Sequence, residues 1–277
     1  MKIIALVDGS VYAQSVCEVA GWAGARLGAG VELLHVLGRR EGGEQDLSGS
    51  IRLGARTALL EELAALDAQR AKLVTHRGRA ILEDAKAVLV QAGVEQASTR
   101  LRHGDLLEEL GSDFDLIVIG KRGEAADFAK GHLGSNLERI VRGTKVPVLV
   151  AARAFAPVGR VLVAYDGGAS AMRAIDHIAQ SPLYKGLEVT VVSVGEGAAV
   201  KAGLADAQAR LKAAGIVAEA RQVAGQPETA LGKLIVDEGY QMLVMGAYGH
   251  SRIRSLIIGS TTTEMIRSCK VPVMLVR

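Results

Sequence analysis

The chain has 277 residues, 49% of them hydrophobic and 23% charged, enough for two domains of ordinary size with real cores. A net charge of +3 is too small for a nucleic-acid footprint, and 3% aromatic residues supply no stacking platforms for single strands. No apolar run is long enough to span a bilayer, and Cys17 and Cys269 stand alone with no CxxC or metal-ligand spacing. The expectation is a cytoplasmic protein with buried thiols and no metal site.

In chain order, Ile3–Val7 is a continuous apolar run of the kind buried on both faces of a parallel sheet. Asp8 cuts it short and no small-residue cleavage site follows, so it reads as a strand rather than a signal peptide. Ser10 reads as the N-cap of a helix in which Val16, Val19, Ala20, Ala23 and Leu27 recur at helical spacing. Val31–Val36 reads as a second strand and residues 38–50 as an exposed Gly-rich loop. Residues 51–92 are rich in Ala, Leu, Glu and Arg and read as helix, with Gly78 as a break between two helices. This stretch is either an amphipathic cover over the sheet or a docking surface. Gln96–Arg102 is a more polar strand near an edge, Asp105–Leu110 a short helix, and Leu116–Ile119 a fourth buried strand. A loop over 120–134, a helix over Ser135–Arg142 and a strand over Pro147–Val150 complete the first half.

The second half says nearly the same thing again. At a constant offset of 125, Gly134, Ser135, Arg142, Lys145, Val146, Pro147 and Val148 recur as Gly259, Ser260, Arg267, Lys270, Val271, Pro272 and Val273. Upstream, the Asp8-Gly9 turn recurs as Asp166-Gly167 and Gly120 as Gly246. Such a repeat means duplicated units. Strands are expected at Val161–Tyr165, Glu188–Val194, Ala218–Val223, Met242–Met245 and Val273–Val276. Helices are expected at Met172–Ala179, Val200–Ala214, Glu228–Asp237 and Ser260–Arg267. Alternation throughout means α/β architecture, with two tandem doubly wound parallel-sheet, Rossmann-like domains related by a pseudo-twofold, residues 1–155 and 156–277. The junction falls at Ala154–Gly159, and the Val-Pro-Val strands are expected to pair sheet to sheet.

In such a sheet, ligands bind at the carboxyl ends of the strands. Asp8 and Asp166 end the first strands of the two halves, and Gly120 and Gly246 end the fourth. If those strands are neighbours, each half has a crevice between them. In the second half, Gly246 and Gly249 let the backbone approach a ligand. Gly259-Ser260-Thr261 opens a helix whose free N–H groups favour phosphate. His250, Arg252 and Arg254 add donors or positive charge between them. A nucleotide fits this layout, with base and ribose near the Asp and phosphates near the helix start.

This pattern resembles the universal stress protein (UspA-like) superfamily, of the adenine nucleotide alpha hydrolase-like fold. Its nucleotide-binding members carry G-x2-G-x9-G-[ST], and residues 246–260 match that spacing. The resemblance covers both halves. It implies ATP, accompanied by Mg2+, bound in the second half by Asp166, Gly246, Gly249, Gly259 and Ser260. Val194 would present its backbone to adenine, and His250 and Thr261 would contact phosphate. Gly168 departs from the family's D-x-S turn.

The first half offers Asp8, Val36, Gly120, Gly123, Gly134 and Ser135, but its loop is one residue too long and carries Glu124 and Asp127, against which Arg122, Lys130 and His132 stand. Inward-facing carboxylates repel a triphosphate, so this site is expected to be weak or degenerate. His35 reads as a satisfied core histidine. No nucleophile is paired with a catalytic base, so no catalytic residue is assigned. The reading is an ATP-binding stress-response regulatory module with a regulatory protein partner, a pseudo-dimer within one chain, and a homodimer of chains left open. Its alternatives are a slow ATP hydrolase or nucleotidyl transferase, and a nucleotide-free scaffold acting through protein partners.

Overall fold

A computed structural model describes residues 1–38, 56–124, 134–195, 197–247 and 260–277. In the first half the strands are β1 (Lys2–Leu6), β2 (Gly30–Leu37), β3 (Ala97–His103), β4 (Leu116–Gly120) and β5 (Val148–Ala151). The helices are α1 (Ala13–Leu27), α2 (Arg56–Gln91), α3 (Leu106–Leu110) and α4 (Ser135–Gly143). The second half repeats the order as β6 (Arg160–Ala164), α5 (Ala169–Gln180), β7 (Glu188–Val194), α6 (Ala198–Ala213), β8 (Ala218–Val223), α7 (Pro227–Asp237), β9 (Met242–Gly246), α8 (Ser260–Ser268) and β10 (Val273–Val276). A short 3-10 turn at Pro182–Tyr184, which the sequence patterning did not suggest, follows α5.

All ten strands form one sheet in the order β3-β2-β1-β4-β5-β10-β9-β6-β7-β8. The order is a palindrome of the repeat. Pairing is parallel within each half and antiparallel only between β5 and β10, where Leu149 faces Met274. Those two are equivalent residues of the repeat, so the pseudo-twofold passes between them. Strands β1 and β4 are neighbours, as are β6 and β9, which is the condition the crevice argument required. The equivalent residues Asp115 and Gln241 also do equivalent work. Asp115 accepts from the backbone N–H of Lys2 at 2.8 Å, and Gln241 from that of Arg160 at 2.7 Å, clamping the start of each half's first strand. The outer strands β3 and β8 carry Arg100, Arg102, Glu219 and Arg221, the polar character that keeps open edges from pairing.

Helix α1 buries Val16, Val19, Ala20 and Ala23 on one face and stops at Gly28, which adopts φ 58 to close the helix. Ser10 is not its N-cap. Its hydroxyl accepts instead from the N–H of Tyr12, a local turn that competes with capping. Helix α2 is continuous through Gly78, against the expected break. A Cβ there would stand 2.9 Å from Leu101 and 3.0 Å from His35, so the glycine is where the helix presses onto β2 and β3. From that point Gly78, Leu82, Ala85 and Leu89 are buried at helical spacing. Over 36 residues α2 runs about 54 Å, and its first half extends past the sheet.

Candidate functional site

The carboxyl ends of β1, β2 and β4, with the start of α4, enclose a cavity of about 800 Å3 in the first half. Asp8, Val36, Gly120, Gly123, Gly134 and Ser135 all line it. That volume lies within the range of small-molecule sites. Glycine is required where the walls close. A Cβ on Gly120 would stand 2.8 Å from Tyr12, and one on Gly123 would stand 2.9 Å from the Asp8 carboxylate. Gly134 caps α4 without a side-chain hydrogen bond, leaving the helix start open to a ligand.

The Asp8 carboxylate accepts from the N–H of Ser10 at 3.0 Å and from the N–H of Glu124 at 3.1 Å. It thus ties the end of β1 to the glycine turn after β4 while lining the cleft. Glu124 does not present a lone carboxylate to the cleft, because it is ion-paired with Arg77 of α2. Asp105 caps α3 through the N–H of Leu107 at 2.9 Å, and Arg139 of α4 donates to both its oxygens at 2.9 and 2.7 Å. The Arg139 bond holds the Asp105 carboxyl below the usual range. His35 is buried, with Nδ1 2.7 Å from the Val7 carbonyl, the satisfied core histidine that the sequence suggested.

In the second half, Asp166 follows β6 and accepts from the N–H of Gly168 at 2.8 Å. The turn matches that at Asp8 and needs no serine, since a backbone amide is the donor. Val194 ends β7, half-buried and paired with Val223 of β8. Gly246 ends β9 against the start of α5, where a Cβ would stand 2.5 Å from the Ser170 carbonyl carbon. Ser260 opens α8. The Thr261 hydroxyl, expected from the resemblance to contact phosphate, donates to Glu228 of α7 at 2.9 Å. Gly249, His250, Arg252, Arg254 and Gly259 lie outside the described residues, as do Asp127, Lys130, His132 and the expected loop from residue 39 to residue 50.

Sequence reasoning did not find Asn136, Arg139 or Tyr12 in the first cleft. Asn136 and Arg139 lie in the first turns of the helix opened by Gly134-Ser135, so counting along that helix would have found them. Arg77 is 47 residues from Glu124, and no local pattern announces that pair.

A profile of the Universal stress protein family matches twice, over residues 1–152 and 157–277. The Universal stress protein Slr1230 of Synechocystis sp. is 39% identical over 285 residues, covering 100% of this chain and 99% of that protein. The Universal stress protein MJ0577 of Methanocaldococcus jannaschii is 31% identical over 55 residues, 20% of this chain and 34% of that protein. The crystal structure of a universal stress protein from Archaeoglobus fulgidus covers 100% of this chain and 98% of its own, with a TM-score of 0.74 and 22% identity, which speaks for the fold. Among the described residues, no helix is long and apolar enough to cross a membrane. With its two matched units, its palindromic sheet and a relative that aligns over the whole of this chain, the chain belongs to the universal stress protein family.

Proposed function

We propose that this chain is an ATP-binding regulatory module of the stress response, with the nucleotide held mainly by its second half. The observation that carries this is the match of residues 246–260 to G-x2-G-x9-G-S, on a fold where Asp166, Val194 and Gly246 end three adjacent parallel strands and Ser260 opens a helix. Base and ribose would lie against Asp166 and the Val194 backbone. The phosphates would lie over Gly246, Gly249, His250 and Gly259 and the first amides of α8, including those of Ser260 and Thr261, with Mg2+ as their counter-ion. ATP in this role shifts populations of the module, and the alternative is a slow ATP hydrolase.

A second reading is that the first half also binds nucleotide. It is favoured by the 800 Å3 cavity that all six residues line and by the Arg77 partner that offsets Glu124. Calorimetric titration of the nucleotide-stripped chain with Mg-ATP tests both. One site per chain, weakened on the order of a hundredfold in Gly259→Asp by a carboxylate at the phosphate-facing helix start, supports the second-half site. Two sites, one surviving in Gly259→Asp, supports the second reading. No binding overturns both and leaves a scaffold acting through protein partners.

A further inference from the structure

Helix α2 has 36 residues where its counterpart α6 has 16. Its last turns, from Gly78, press on the sheet. From residue 59 through residue 70 every residue is exposed except Leu63, which is half-buried. This projecting arm still carries large apolar side chains. Leu59 is 45% exposed, Leu66 55% and Leu73 65%.

Leu59, Leu66 and Leu73 recur every seven residues, and Leu63 falls between the first two on the same face. That spacing supplies one of the two rows in the seam of a supercoiled helix pair, with Leu63 and then Arg70 in the second. At 100° per residue the seam lies roughly 130° around the helix from the face of Gly78, Leu82, Ala85 and Leu89 that rests on the sheet. The leucines therefore do not continue the buried stripe of their own half. They face away from the sheet that the helix covers.

Charge on the arm selects the occupant. Glu61 and Glu62 lie before Leu66, and Asp67, Arg70 and Lys72 lie after it, so from Leu59 to Leu73 the basic residues are all on one side of Leu66. Glu62 and Arg70 are each four residues from Leu66, and Leu59 and Leu73 are each seven. We infer that the projecting half of α2 pairs antiparallel with the same segment of a second copy of this chain, about a twofold axis at Leu66. In that register Leu59 of one copy meets Leu73 of the other, the two Leu66 side chains meet, and Glu62 faces Arg70 twice. Parallel pairing would instead set Arg70 against Arg70 and Glu62 against Glu62, which charge repulsion disfavours. The contact spans about four helical turns, so the dimer is concentration-dependent, with dissociation in the micromolar range. It is separate from the β5–β10 seam, which is satisfied within one chain.

Sedimentation equilibrium of the full chain tests this. The wild type is expected to move from the 29.0 kDa of one chain toward twice that mass between a few and a few hundred micromolar. Leu66→Glu, which sets two carboxylates together at the axis, is expected to raise the dissociation constant at least tenfold. Glu62→Arg and Arg70→Glu are each expected to weaken the dimer, and the double variant Glu62→Arg/Arg70→Glu to restore it, because self-pairing re-forms both contacts. The three side chains altered, Glu62, Leu66 and Arg70, lie on the exposed arm, so folding is not at stake. A wild type that stays at one chain's mass at a few hundred micromolar overturns the inference. So does a dimer indifferent to Leu66→Glu, or a double variant no better than the single ones.

Discussion

His177 is buried on α5, its ring edge-on to Tyr184 at a centroid distance of 5.6 Å. Neither His177 Nε2 nor the Tyr184 hydroxyl has a hydrogen-bond partner among the described residues. Burial pulls the imidazole down to about 4 and pushes the Tyr184 phenol far up. Between pH 6.5 and about 4 the unfolded chain therefore takes up a proton that the folded chain refuses. The stabilisation is complete above pH 6.5 and drains as pH falls through that window, by about 3 kcal/mol in all. Urea unfolding at pH 7 and pH 4.5 should show that fall in the wild type and a much smaller one in His177→Leu. Equal losses in the two proteins would assign the acid sensitivity elsewhere. Groups of this kind were only half legible in the sequence. That Cys17 is an inert buried thiol could be read from its isolation, and its pKa is indeed pushed up to about 12 by burial. The pairing of His177 with Tyr184 could not, because it depends on a short 3-10 turn with no periodic pattern. Ser10 was misread for a related reason, since a serine ahead of a helix can bond a neighbouring amide as readily as it caps.

Elements were legible wherever periodicity was strong, and failed where a distant surface decided. The four apolar strands that end at the candidate sites, β1, β4, β6 and β9, follow from continuous buried runs. Gly78 looked like a break because glycine weakens an isolated helix, but packing against Leu101 and His35 rewards its missing side chain. A second long-range device links α4 and α8. The Lys121 ammonium, at the start of the first half's glycine turn, donates to the Cys269 carbonyl at the end of α8. Arg277, following β10, donates to the Arg142 carbonyl at the end of α4. Each helix thus has a cation from the other half at its negative end, where one is favoured. Lys121 is buried, and desolvation lowers its pKa, with Arg122 adding to the shift. A lysine depressed in the folded state binds its proton less well there than in the unfolded chain. Stability due to this residue must therefore rise with pH from the lowered value toward the ordinary 10.4. Comparing wild type with Lys121→Met across pH 7 to 10 isolates that contribution from the opposing one of Cys17. The difference in unfolding free energy should move in favour of the wild type as pH rises. A difference flat in pH would mean that the ammonium is not paying a desolvation cost.

At the scale of the whole molecule, the repeat in the sequence implied two units and left open how firmly they join. The join is a shared core. One apolar cluster on one face of the sheet includes Val118 and Leu149 of the first half with Val244 and Met274 of the second. The cluster on the other face includes Ile117 and Val148 with Leu243 and Val273. Arg26 of α1 adds a bond of 2.7 Å to the Leu183 carbonyl across the halves. Neither half could keep these faces dry alone, because β5 and β10 would each become an open apolar edge. The chain should therefore unfold as one cooperative unit despite its two matched domains, with calorimetric and van't Hoff enthalpies equal. Leu149 and Met274 are both fully buried at the pseudo-twofold, so Leu149→Ala should cost about 2 to 5 kcal/mol and shift that single transition as a whole. Two separated transitions in the wild type, with Leu149→Ala moving only one, would mean that the halves fold independently and the seam is a contact rather than a core. A single transition instead means that a ligand stabilising either cleft stabilises both halves, since anything that binds only the folded state raises the free energy of the one unfolding step they share.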